Sequence, residues 1–171
     1  VLSAFGRPVL DLPPPSPEET LVWMRRLAMA SQADVRLRGL ATSIVRRLKQ
    51  QDYISEYAAI LDWVRRHIRY VRDPRTVEQV STPQATLSVG TGDCDDMAVL
   101  ISSLVGHIGG STRFRAGAFK RSGGVPMLSH VWVEAFDPAT RAWVVLDPVP
   151  GQRVNSMLSG LVATLTAPAI D

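Results

Sequence analysis

The chain has one cysteine, Cys94, and three histidines, His67, His107 and His130. A thiol can attack a carbonyl when a base takes its proton and a third group holds that base in place. Cys94 follows Gly90-Thr91-Gly92-Asp93 and opens an apolar run to about His107, which predicts a helix starting at Cys94 with Asp93 as its N-cap. The free N–H groups and the dipole at a helix start favour a thiolate. Asp93, Asp95 and Asp96 oppose it, because like charge raises a thiol pKa. A nearby imidazolium would offset that repulsion, and thiol and imidazole would titrate as a pair. His107 ends the same helix, about 20 Å away at ~1.5 Å per residue, and His67 sits in the charged run Arg65-Arg66-His67-Ile68-Arg69. His130 is left as the candidate base.

Patterning around His130 supplies the third group. Leu128–Phe136 and Arg141–Leu146 read as strands flanking the turn Asp137-Pro138-Ala139-Thr140. If Phe136 pairs with Arg141, then Val131 faces Leu146, Val133 faces Val144 and Ala135 faces Ala142, an all-apolar face. The same register sets His130 directly opposite Asp147, with Cβ atoms about 4.5–5.5 Å apart. Asp147 could then orient the imidazole, and the far ring nitrogen would face a nucleophile. Trp132 and Trp143 share the His130 face, with Trp143 opposite Glu134, and are expected to serve packing.

The rest of the chain must position these groups. Its 171 residues, 46% hydrophobic and 20% charged, suit one domain over residues 1–171 with a sizeable core. A single cysteine excludes an internal disulfide and a cysteine-rich zinc site. No run approaches about 18 apolar residues, so neither a membrane span nor a membrane partner is expected. Val1–Leu10 is short, is interrupted at Gly6–Pro8 and lacks a basic leader, so no signal peptide is expected in this chain. The net charge of +3 comes largely from arginines such as Arg25, Arg26, Arg36, Arg38, Arg46, Arg47, Arg65, Arg66 and Arg69, read as solvated helix faces. No nucleic-acid motif accompanies them and aromatics are only 6%, so nucleic acid is not an expected partner.

Residues 16–70 read as helical. Ser16-Pro17-Glu18-Glu19 is a helix start, running to about Ala30. A second helix follows Asp34, and a third spans about Asp52–Tyr70 on the stripe Tyr53, Tyr57, Ile60, Leu61, Val64 and Ile68. The core, residues 71–150, begins with the break Asp73-Pro74 and an irregular stretch Val71–Gly92. It continues through the Cys94 helix, a strand at Thr112–Lys120, a Gly-rich loop at Arg121–Pro126 and the hairpin. In the tail, residues 151–171, Met157–Thr166 is open between helix and strand. Helices first and strands later indicate an α+β fold.

Three segments carry a family resemblance: Gly92-Asp93-Cys94-Asp95-Asp96 with Ala98 and Leu100, Ser129-His130-Val131-Trp132-Val133-Glu134, and Trp143-Val144-Val145-Leu146-Asp147-Pro148. Their order, with Cys-to-His and His-to-Asp spacings of 36 and 17 positions, resembles the transglutaminase-like superfamily. Pro83-Gln84-Ala85-Thr86-Leu87 is similar to versions found in phages and prophages. The resemblance implies a papain-like α+β fold, with the cysteine helix packed on an antiparallel sheet. It implies thiol acyl chemistry by a cysteine peptidase or amidase on a protein or peptide, in which Cys94 forms a thioester, His130 shuttles the proton and Asp147 fixes the imidazole. The Cys94 backbone N–H and, as upstream donor, Gln84 would meet the oxyanion. No cofactor or metal is needed, although some relatives bind calcium through acids beside the cysteine, where this chain has Asp93, Asp95 and Asp96. Nothing corresponds to the extra β domains of animal transglutaminases, which favours hydrolysis over cross-linking. The alternative is a non-catalytic phage-type structural or assembly protein with this fold. The expected setting is cytoplasmic or virion-associated, with a phage structural or cell-wall partner conceivable.

Overall fold

The computed structural model describes residues 16–72, 79–119, 127–149 and 161–170. Helix α1 (Pro17–Ala30) starts in a capping box: Ser16 Oγ accepts from the Glu19 N–H at 3.2 Å, and the Glu19 carboxylate accepts from the Ser16 N–H at 2.7 Å. Asp34 caps α2 (Val35–Val45) and Asp52 caps α3 (Tyr53–His67). Each helix sends one stripe inward, including Leu21, Met24 and Ala28 from α1, Leu37 and Ala41 from α2, and Tyr57, Ile60 and Val64 from α3.

All three stripes converge on α5 (Cys94–His107), whose residues from Asp95 to Val105 are all buried. Its sequence allows this because Met97 to Ile101 is continuously apolar and the polar groups that follow find partners. Ser102 bonds to Thr112 at 2.7 Å and Ser103 to Ser31 at 2.6 Å, hydroxyl to hydroxyl. On its other side α5 meets an antiparallel sheet of β3 (Thr112–Phe119), β4 (Met127–Asp137), β5 (Ala142–Leu146) and β6 (Leu161–Thr166), in the order β5-β4-β3-β6. Helices on one face of an antiparallel sheet make the expected α+β architecture. The open segment of the tail is therefore a strand from Leu161, paired with β3.

Two stretches differ from their sequence reading. The third helix stops at His67, not Tyr70. Ile68 is extended, and Arg69–Tyr70 forms a short strand, β1, parallel to β2 (Thr91–Gly92). The stretch read as irregular holds a further helix, α4 (Pro83–Val89). Thr82 caps it, Pro83 takes the first turn and Gly90, at φ +71°, ends it in the left-handed region. Residues 1–15, the Asp73-Pro74 break, the loop Arg121–Pro126 and residues 150–160 lie outside the described residues. No helix among the described residues is long and apolar enough to cross a membrane.

The hairpin register also differs, by two. Phe136 pairs with Trp143, not Arg141, and Val133 pairs with Leu146. The turn is the cause. Asp137 stays in β4 opposite Ala142, while its carboxylate accepts from the Ala139 N–H at 2.9 Å and the Thr140 hydroxyl at 2.6 Å. Arg141 closes the loop at φ +56°. These bonds hold the Asp137 carboxyl below its ordinary pKa, the Thr140 bond foremost. A four-residue loop displaced by one residue moves every pair by two, which keeps each side chain on its original face.

Gly92 is fixed by space. A Cβ there would lie 2.7 Å from Asp96 Cβ, while Asp96 Oδ1 holds the Ser81 N–H at 2.6 Å. Gly92→Ala is expected to destabilise the fold by about 1–3 kcal/mol, read as a lower thermal midpoint.

Candidate active site

Cys94 is the first residue of α5, as the sequence indicates, and Asp93 is the cap. Asp93 Oδ1 accepts from the backbone N–H groups of Asp95 at 3.0 Å and Asp96 at 3.2 Å. Packing of α5 on the sheet brings the half-buried thiol to β4, where the Val131 N–H faces the sulfur. The thiol donates to Asp95 Oδ1 at 3.4 Å. Burial, then the charges of Asp95 and Asp93, push its pKa up, and the Val131 N–H only partly opposes them. The helix start therefore does not by itself make a thiolate here, because burial and the two carboxylates oppose it.

His130 precedes Val131, so the strand that touches the sulfur also carries the imidazole. β4 has an irregularity at this point: Gly117 pairs with His130 but Ala118 pairs with Leu128, leaving Ser129 as an extra residue. Such a bulge bends a strand and re-aims the side chain beside it. His130 is buried, and its Nε2 lies 2.9 Å from Asp147 Oδ1. A carboxylate only accepts, so Nε2 carries the hydrogen and Nδ1 is the nitrogen left to take a proton.

The predicted His130–Asp147 contact therefore forms, but not as a directly opposed pair. In the observed register Asp147 lies beyond the last β4–β5 pair, Val133 with Leu146, and is diagonal to His130. An imidazole is long enough to bridge that diagonal. Asp147 Oδ1 also accepts from the Val149 N–H at 2.9 Å. Trp132 lies beside His130 with ring centroids 6.1 Å apart. Trp132 is buried, in keeping with a packing role. Trp143 instead faces Phe136 and the Arg113 guanidinium, which is 4.1 Å from its ring centroid, and Arg113 pairs with Glu134.

The Gln84 amide is engaged elsewhere. Its Nε2 donates to Asp34 Oδ2 at 2.9 Å, tying α4 to the start of α2. The residue that sequence reading missed is Tyr70, assigned there to a helix. As the β1 partner of Gly92 it projects to the same side as the Gly92 Cβ position, which meets the first turn of α5. Its phenol pKa is raised, first by burial and then by Cys94 and Asp93, while Arg72 donates to its oxygen. The helix-start signal Thr82-Pro83 could have exposed α4, but nothing local marked two strand residues.

Asp93, Cys94 and Asp95 bring one ligand atom each within 4.8 Å of one another. Calcium takes six to eight oxygen ligands. Two carboxylates and a sulfur supply only part of such a shell.

Residues 38–148 match the family described as the transglutaminase-like superfamily, and the chain belongs to it. A search of curated proteins finds no match. Among solved structures it is similar to a candidate cysteine protease from Cytophaga hutchinsonii, at 18% identity and TM-score 0.59, covering 96% of this chain and 57% of that one. It is also similar to LapG from Legionella pneumophila, at 16% identity and TM-score 0.54, covering 82% and 80%. A candidate protease from Parabacteroides distasonis shares 13% identity at TM-score 0.55, covering 77% and 27%. The chain thus spans little more than half the length of the first of these and about a quarter of the last. At these identities the likeness shows a shared fold.

Asp95 disfavours the thiolate twice, as acceptor of the S–H and as a like charge. Asp95→Asn should therefore lower the thiol pKa and speed alkylation of Cys94 by iodoacetamide near neutral pH, followed by mass spectrometry.

Proposed function

We propose that the protein performs thiol-dependent acyl chemistry, hydrolysing a peptide or amide bond through a thioester at Cys94. The observation that carries this reading is the 2.9 Å bond from His130 to Asp147 on the strand whose next residue faces the sulfur. As carbonyl attack begins, the proton passes from sulfur to His130 Nδ1 while a carbon–sulfur bond forms. Transfer is concerted with attack, so the buried thiol need not ionise in the resting protein. Asp147 stabilises the imidazolium through Nε2–H. The proton then goes to the leaving amine as the carbon–nitrogen bond breaks; water next attacks the thioester with His130 again as base, the carbon–sulfur bond breaks to release the acid, and the proton returns to sulfur.

The oxyanion needs donors aimed at it. The Cys94 backbone N–H is one, and Tyr70 replaces Gln84 as the second. With Arg72 donating to the phenol oxygen, the phenol O–H is free to donate outward.

A second reading keeps the fold for an assembly role without turnover, since a fold does not fix a function. One experiment separates the two. With p-nitrophenyl acetate, the enzyme reading expects a Cys94-linked acetyl group by intact mass and continuing release of nitrophenol. Cys94→Ala should abolish both, and His130→Ala should slow acylation by about 10³-fold. Equal release by the wild type and Cys94→Ala would overturn it.

A further inference from the structure

We propose that Arg65 is a positioning residue that fixes the Asp147 carboxylate by holding its backbone. The role rests on the proposed function. Arg65 lies in the last turn of α3, inside a run of basic residues that sequence reading assigned to a solvated face. It is part-buried instead. Its Nε and Nη2 both donate to the Asp147 carbonyl oxygen, at 3.1 and 2.6 Å, and Nη2 also reaches the Val149 carbonyl at 3.5 Å. The adjacent Arg66 behaves as expected of a surface residue, pairing with Asp62 across the exposed helix face.

Asp147 needs such an anchor because the sheet does not supply one. β4–β5 pairing ends at Val133 with Leu146. The next residue after Asp147 is Pro148, which has no N–H with which to continue a ladder. The carboxylate of Asp147 already serves the Val149 N–H and His130. Without Arg65 those two bonds to one carboxylate oxygen would be left to hold the residue. Arg65 takes the carbonyl and, among the described residues, forms no ion pair with a carboxylate. It therefore locates Asp147 without competing with His130 for the charge. A planar fork with two donors on one oxygen sets direction as well as distance, which an ammonium cannot do.

A double-mutant cycle on the full chain tests this, with Cys94 acetylation by p-nitrophenyl acetate as readout. Arg65→Ala is expected to slow acylation by about 10–100-fold, the usual scale for a group that orients a reacting one. In an Asp147→Ala background the same change should alter the rate by less than about twofold, since a residue acting through Asp147 has nothing left to act on. Arg65→Lys should fall between. A second readout needs no turnover: exchange of the His130 Nε2 proton with solvent, by NMR. Arg65→Ala should accelerate it at least about tenfold, while Asp62→Ala on the same helix should not. The proposal is overturned if Arg65→Ala slows acylation equally in both backgrounds, or if proton exchange is unchanged. If the wild type shows no Cys94-dependent acylation, the proposed function fails, and the exchange measurement alone decides for Arg65. Should Arg65→Ala not fold, Arg65→Lys carries both readouts.

Discussion

Helix α5 is enclosed from Asp95 to Val105, and a helix so enclosed can meet a ligand only at its ends. Its core-facing chemistry is ordinary: apolar side chains and paired hydroxyls. Its N-terminus is different. Two acids, Asp93 and Asp95, crowd around one sulfur there, and the first turn is held down by Asp93 from below and by the Ser81 N–H on Asp96 from the side. Because α5 cannot shift without disturbing four helices and the sheet, the sulfur is placed by the whole core. The reactive end of the site therefore takes its rigidity from packing.

The sheet supplies the other half. β4 lies along α5, so whichever residues of β4 face the first turn of α5 will face the sulfur. Two local devices decide which these are. The extra residue at Ser129 turns His130, and the Asp137 turn sets where β5 begins. The carboxylate is a product of both, since it lies one residue past the end of β5 and reaches diagonally to the imidazole.

Much of this arrangement is legible in the sequence, and the reason is periodicity. Cys94 at a helix start follows from Asp93 and the glycines before it. The pairing of His130 with Asp147 follows from alternation on two strands, which fixes the face. Alternation does not fix the register, and the Asp137 side-chain bonds moved it by two without cost to the contact. Features set by single long-range contacts were not legible. Gln84 was a reasonable donor by position, but the carboxylate of Asp34, fifty positions earlier, claims its amide. Tyr70 and Arg65 look like members of a helical, basic stretch. Only the folded chain shows one beside the first turn of α5 and the other on the backbone of Asp147.

The point at which β5 stops matters beyond the hairpin. Beyond Val133, β4 keeps β3 on one side but loses β5 on the other. Within that stretch the Val131 N–H faces the sulfur of Cys94. The part of β4 that β5 leaves unpaired is thus the part that meets the start of the helix. In this molecule structural pairing gives way to reactive chemistry where the hairpin ends.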